Sequence, residues 1–315
     1  MVSRLAIHTT LGSVGAVGTL LYVSSISPGS MRESPEKASS HRKQDNHFFT
    51  PFLVSQLKDQ GVVVIDDVLD KHELDVARAD VFSLLLSDSF QENDNTDATI
   101  RTDKVLWINE TIGEFQRADT ESNVGSGLLH ALRCVRAMPS ELVSYCDFDS
   151  STLGVPLSNQ LACYDGEGSF YVPHRDKPKI AGKGAHPLRW LLQPGLMERE
   201  ITIILYLNDV DWESGNDPNM SGHLRIFLNT DIDDEVGDTA SEVMEIAPKG
   251  GRMVIFDSSK ILHEVVPTKH RRVAITCWTG GEHSNYLWLR PFCVPYDSVN
   301  WAAVRASYLN SNQSK

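Results

Sequence analysis

Residues 159–176 read NQLACYDGEGSFYVPHRD. Two short apolar and aromatic runs, 159–164 and 169–174, flank the turn-forming Asp-Gly-Glu-Gly, a pattern that predicts two strands. Runs of the same kind recur at 200–207, 222–228, 253–257, 262–266 and 272–278, separated by Gly, Pro, Asp and Asn. Such spacing predicts a sandwich or barrel for the second half of the chain. The acidic stretch 231–245 holds seven carboxylates and is expected to be a solvated loop.

Toward the N-terminus the period lengthens. Thr50 before Pro51, with Leu53, Val54 and Leu57 following and Gly61 as a stop, predicts a short helix. A strand is expected at 62–65. Asp70 with Glu73 three residues on is a capping-box signal for a second helix, carrying Leu74, Ala77, Val81, Leu84 and Leu85 at helical spacing. A third helix is expected over 124–138. These elements make a mainly β domain with flanking helices.

Before them, 5–26 is an apolar segment with no acid, preceded by Arg4 and diluted by Ser and Thr. Its length suits membrane attachment, and its composition also suits a secretory or organelle-targeting leader. The expected division is an anchor or targeting segment at 1–30, a linker at 31–46, a folded domain at 47–295 and a tail at 296–315. A membrane-anchored or endoplasmic-reticulum and secretory location is favoured by that reading, with organelle targeting or a cytoplasmic location as alternatives. The 315 residues carry 29 Lys and Arg against 42 Asp and Glu, a net charge of −13, which argues against nucleic acid as a partner. Five cysteines without a Cys-x-x-Cys pair signal neither a disulfide framework nor a zinc site.

The residues that carry chemistry begin with His174 and Asp176. Two apart on a strand, they face the same way. His263, 87 positions beyond Asp176, would complete two imidazoles and a carboxylate on one face of a metal ion, the ligand set of non-haem Fe(II) oxygenases. His-x-Asp alone is a weak signal. It gains weight from Arg272, nine residues after His263: period-2 alternation puts Arg272, Ala274, Thr276 and Trp278 on one face and Val273, Ile275 and Cys277 on the other. An arginine inside a barrel needs an anion, and no acid lies on its strand. A metal-chelating dicarboxylate whose far end meets Arg272, with Thr276 donating one more bond, would supply it. The alternative is a surface arginine in the basic run 269–272, which is the reading preferred for Arg271. Tyr164 and Tyr206, each on a face with small or apolar neighbours, could add hydroxyl donors.

The blocks GVVVIDDVL, IRTDKVLWI, LACYDGEGSFYVPHRDKP, ILYLNDVDW, SGHLRIF, GRMVIFDS and HEVVPTKHRRVAITCW occur in this order over about residues 60 to 280. Through them the chain resembles the Fe(II)- and 2-oxoglutarate-dependent prolyl 4-hydroxylases, and among these the hypoxia-sensing protein prolyl hydroxylases. The resemblance implies a double-stranded β-helix oxygenase core of the jelly-roll type, Fe(II) on His174, Asp176 and His263, and 2-oxoglutarate on Arg272. It assigns Tyr164, Tyr206, Thr276 and Leu224 to the cosubstrate pocket, and Arg101, Asp103 and Trp278 to the substrate side. It further implies O2 as oxidant, L-ascorbate as an accessory, a proline-containing peptide or protein as substrate, and a role in oxygen sensing. One departure concerns the 29 residues between Asp176 and Tyr206, a longer connection than in the oxygen sensors. It leaves open a 2-oxoglutarate oxygenase with a non-prolyl substrate. A third reading is a non-catalytic iron-binding barrel. The apolar N-terminus and the sequons at Asn109, Asn219 and Asn312 resemble membrane-anchored or luminal members.

Overall fold

A computed structural model describes residues 48–280, except 93–97, 112–113, 119, 121, 147–152, 154, 179–195, 197, 213–219 and 232. The apolar segment at 5–26, the linker, the C-terminal tail, most of the long connection after Asp176, and Asn219 and Asn312 lie outside the described residues. The elements run α1 (Pro51–Gln60), β1 (Val62–Ile65), α2 (Lys71–Leu86), β2 (Gln91–Glu92), β3 (Lys104–Thr111), β4 (Glu114–Arg117), α3 (Ser126–Cys146), β5 (Val155–Tyr164), β6 (Ser169–His174), β7 (Ile201–Tyr206), β8 (Leu224–Leu228), β9 (Glu242–Ile246), β10 (Met253–Asp257), β11 (Leu262–Thr268) and β12 (Arg272–Gly280).

Strands form two antiparallel sheets. The larger has the order β1-β10-β7-β12-β5-β3-β2, with β4 paired to β3, and the smaller has the order β6-β11-β8-β9. Alternation on the central strands divides the interior. Ile203, Leu205, Val273, Ile275 and Cys277 pack with Leu128, Leu132, Val135, Met138 and Leu142 of α3. Their neighbours Ile204, Tyr206 and Ala274 face the smaller sheet, with Leu224, Ile226, Val254 and Phe256. Both faces of β7 and β12 are therefore buried, which is why these strands read as near-continuous apolar runs.

The helices rest on local chemistry. Thr50 accepts a bond from the Leu53 N–H at the start of α1, and Gly61 closes it at φ 73. Asp70 and Glu73 make the reciprocal bonds of a capping box on α2. For α3 the cap is remote: the Asp80 carboxylate of α2 accepts from the N–H groups of Gly127 at 2.8 Å and Leu128 at 2.9 Å. Gly127 is where the two helices meet, since a Cβ there would come within 2.5 Å of the Ala77 nitrogen.

Several expectations need correction. The third helix continues through Pro139 to Cys146 because Met138, Leu142 and Cys146, at spacing four, keep one face buried, and that burial offsets the bond the proline cannot donate. Within the acidic stretch, residues 242–246 are strand β9, paired along β8, while the part before it is a loop as expected. Strands β2, β3 and β4 and the early start of β5 were not expected. Among the described residues Cys134, Cys146, Cys163 and Cys277 are buried, and burial pushes the Cys163 thiol up to about 12. No helix of the described residues is long and apolar enough to cross a membrane.

Candidate active site

The triad is set by the strand ladder. His174 on β6 and His263 on β11 are direct cross-strand partners, so their side chains leave the smaller sheet side by side. The His174 Nδ1–H donates to the Val172 carbonyl at 2.9 Å, and the His263 Nδ1–H to the Ile261 carbonyl at 3.1 Å. Each ring thus keeps its proton on Nδ1 and turns Nε2 inward. The inward atoms lie 3.8 Å from Asp176, His174 to Oδ1 and His263 to Oδ2, and one donor atom from each residue falls within 4.8 Å of the others. Burial holds the His174 imidazole well below its usual pKa, reinforced by His263, and burial lowers His263 as well. Burial pushes the Asp176 carboxyl up, but His263, His174, Arg199 and Thr202 more than offset it, so the group stays ionised. Two neutral imidazoles and one carboxylate at this spacing form a donor set that can hold a divalent metal ion.

Asp176 has further partners absent from the sequence reading. The Thr202 hydroxyl donates to Oδ2 at 2.7 Å, and Ser258 Oγ lies 2.8 Å from Thr202 Oγ1. An ionised carboxylate only accepts and a threonine has one proton, so Ser258 must donate to Thr202. Arg199 reaches Asp176 Oδ1 at 3.9 Å and lies 3.6 Å over the Trp278 ring. Period-2 alternation puts Thr202 on the Tyr206 face, which is the signal the sequence offers. Nothing in sequence joined Arg199 to the triad.

Arg272 is buried, 2% exposed, on the strand face deduced from alternation. Its Nε donates to the Gly222 carbonyl at 3.0 Å, and Nη2 donates to the Tyr206 hydroxyl at 3.3 Å. The guanidinium lies 5.0 Å from the ring centres of both Tyr164 and Tyr206. Among the described residues no carboxylate is within ion-pair distance of it, so a buried cation sits in a pocket of neutral donors and acceptors. Such a pocket has the chemistry to receive an anion. Gly222, at φ 67, could not be replaced freely, since a Cβ would come within 2.6 Å of Thr268 Oγ1. Leu224 packs beside Tyr206, and Thr276 lies two residues beyond Ala274 on the same face.

Arg101 and Asp103 form a bidentate ion pair in which the Asp103 side chain is fully buried. Arg101 lies 4.4 Å over the Tyr171 ring, and Tyr171 stacks on His174 with ring centres 3.6 Å apart. The pair therefore borders the triad through a tyrosine that the sequence reading did not single out.

Residues 159–280 match the family described as the 2OG-Fe(II) oxygenase superfamily. The chain carries a 2OG-Fe(II) oxygenase domain. The matched residues include all three triad members and Arg272, and the domain implies Fe(II), 2-oxoglutarate and O2. Egl nine homolog 1 of Homo sapiens is 27% identical over 236 residues, covering 72% of this chain and 45% of that protein. The Hypoxia-inducible factor prolyl hydroxylase of Caenorhabditis elegans is 28% identical over 184 residues, covering 57% of this chain and 20% of that protein. The chain spans about half the length of the Egl nine homologues it matches. Among solved structures, a prolyl hydroxylase in complex with a hypoxia inducible factor peptide from Trichoplax adhaerens aligns at TM-score 0.56 and 23% identity, covering 75% of this chain and 90% of that one. A Pseudomonas putida prolyl-4-hydroxylase aligns at TM-score 0.51 and 20% identity, covering 73% and 97%. With them, the oxygenase domain has the double-stranded β-helix core that the sequence led us to expect.

Proposed function

We propose that the chain is a dioxygenase that hydroxylates proline in a peptide or protein, with His174, Asp176 and His263 holding Fe(II). The observation that carries the reading is the buried Arg272, without a carboxylate among the described residues, on the larger sheet, together with a preorganised two-histidine, one-carboxylate set whose histidines stand on the smaller sheet. In the reaction, bound Fe(II) supplies with 2-oxoglutarate and O2 the power to insert an oxygen into a C–H bond, yielding succinate and CO2. The protein's part is positional. Arg272, Tyr206 and Tyr164 receive the far carboxylate of 2-oxoglutarate, with Thr276 as a further donor and Leu224 as apolar wall. The Nδ1 bonds fix both imidazoles, and Thr202 fixes Asp176. Arg101, Asp103 and Trp278 border the substrate. L-ascorbate is proposed as the accessory that restores Fe(II), and oxygen sensing as the physiological role. The domain is taken as 47–295, with 1–30 serving to target or attach it.

The similarity to prolyl hydroxylases supports the proline specificity, while the long connection after Asp176 favours a second reading, an oxygenase for a non-prolyl substrate. Anaerobic reconstitution with Fe(II), followed by O2 and a library of proline-bearing peptides, separates them. Peptide-stimulated succinate with one oxygen atom added at proline, lost in His174→Ala and strongly reduced in Arg272→Ala, is expected. Succinate without any modified proline would transfer the assignment to the second reading, and bound iron without succinate would leave a binding module.

A further inference from the structure

Arg175 stands between two triad residues and points away from them. Its guanidinium makes four bonds to two separate segments. Nε donates to the Lys260 carbonyl at 3.3 Å, Nη1 to the Asp234 carbonyl at 2.6 Å, and Nη2 to the Thr230 hydroxyl at 2.8 Å and the Asp231 carbonyl at 3.0 Å. Lys260 belongs to the turn that leads into His263, and that turn is itself organised by Asp257, whose Oδ1 accepts from Ser259 N and Lys260 N. Residues 230–234 belong to the acidic loop between β8 and β9. One side chain therefore joins the strand end carrying His174 and Asp176, the approach to His263, and a loop that contributes no triad residue.

The loop is built to be held as a unit. The Asp234 carboxylate is filled from within, accepting from Val236 N, Gly237 N, Thr239 N and Thr239 Oγ1 at 2.7–2.9 Å. Asp231 N donates to Thr239 Oγ1 at 2.9 Å, and Asn229 Nδ2 to Ser241 Oγ at 2.9 Å. With its carboxylate so occupied, Asp234 offers Arg175 its main-chain carbonyl. A guanidinium suits this task where an ammonium would not, because its planar fork meets several acceptors at fixed angles.

We infer that Arg175 is a positioning residue that couples the conformation of loop 229–241 to metal occupancy of the triad. The inference rests on the metal reading of His174, Asp176 and His263. Fixing the three donor atoms fixes the main chain on both sides of Arg175, hence the guanidinium, hence the loop. Coupling is reciprocal, so whatever orders or displaces the loop changes metal affinity by the same factor.

The test uses the full chain and Mn(II) as an anaerobic probe. Free Mn(II) is followed by electron paramagnetic resonance, and hydrogen exchange of residues 229–241 is compared with and without the ion. In wild type, Mn(II) is expected to slow exchange in the loop. Arg175→Ala should weaken Mn(II) binding by about ten- to a hundredfold, the range for partners that orient metal ligands, and remove the loop response. Arg175→Lys should recover only part of both, and Thr230→Val, which leaves the arginine in place, should show a smaller loss of both. If Arg175→Ala does not fold, Thr230→Val decides: unchanged affinity with an unchanged loop response overturns the inference. So does a folded Arg175→Ala that binds Mn(II) as tightly as wild type, or a wild-type loop indifferent to bound Mn(II). A wild-type chain that takes up no Mn(II) defeats the metal reading itself, and the inference with it.

Discussion

Thr202 has one proton to give, and it goes to Asp176. Replacing it by valine preserves shape but leaves Oδ2 with an unfilled acceptor and Ser258 with a buried donor. Thr202→Val is expected to weaken Mn(II) or Co(II) binding by about tenfold, with Thr202→Ser restoring most of it, as read by anaerobic titration. Arg272→Lys keeps the charge but loses the fork that reaches Gly222 and Tyr206 together. We expect KM for 2-oxoglutarate to rise by roughly tenfold for lysine and about a hundredfold for alanine, in line with charge-assisted bonds of about 1.5–3 kcal/mol. Metal binding should be retained in both variants, which separates a pocket defect from a broken triad. At this scale the sequence was informative wherever strand periodicity applied. It placed Arg272, Tyr206 and Tyr164 on inward faces and paired His174 with Asp176. Arg199 and Arg175 were illegible because their partners lie across the fold: Trp278 for one, and the segments at 230–234 and 260 for the other.

Helix α3 starts on a carboxylate from another helix, and the turn before His263 hangs on a single aspartate. Asp80→Ala removes both bonds to the α3 N-terminus and is expected to cost about 1 kcal/mol, seen as a lower urea midpoint with an unchanged slope. For Asp257, burial pushes the carboxyl up, but the bonds from Ser259 and Lys260 outweigh this and hold it below 3.8. A folded-state value below the unfolded one contributes stability that is intact above pH 3.8 and is lost as pH falls through the folded value. Asp257→Asn should therefore be less stable than wild type at neutral pH and lose less on acidification, measured by urea midpoints across the acid range. Local signals served α1 and α2 well, because Thr50, Gly61, Asp70 and Glu73 act within one turn. They failed for α3, where Pro139 reads as a stop and only the buried face beyond it says otherwise. They failed again for β9, whose charged residues conceal an edge strand that exists through pairing with β8.

The described residues form two sheets backed by α3 and α2, and the helix-side core and the candidate site lie on opposite sides of the larger sheet. Leu132 is fully buried in the helix-side core. Leu132→Ala is expected to cost about 2–5 kcal/mol and to lower the melting temperature, while the 2-oxoglutarate KM of the folded fraction stays unchanged. The architecture was legible from the alternation of short strands, whereas the burial of both faces of β7 and β12 emerges only from the packing of α3 on one side and the smaller sheet on the other. Strand β12 also suggests a strategy for engineering. Val273, Ile275 and Cys277 pack in the helix-side core, whereas Arg272, Thr276 and Trp278 lie on the opposite face, the one proposed to line the pocket. Libraries randomised at the first set should yield variants of altered thermal tolerance and constant selectivity. Libraries at the second set, Arg272 held fixed, should yield altered selectivity on a constant chassis, so that the best members of each combine with little mutual interference.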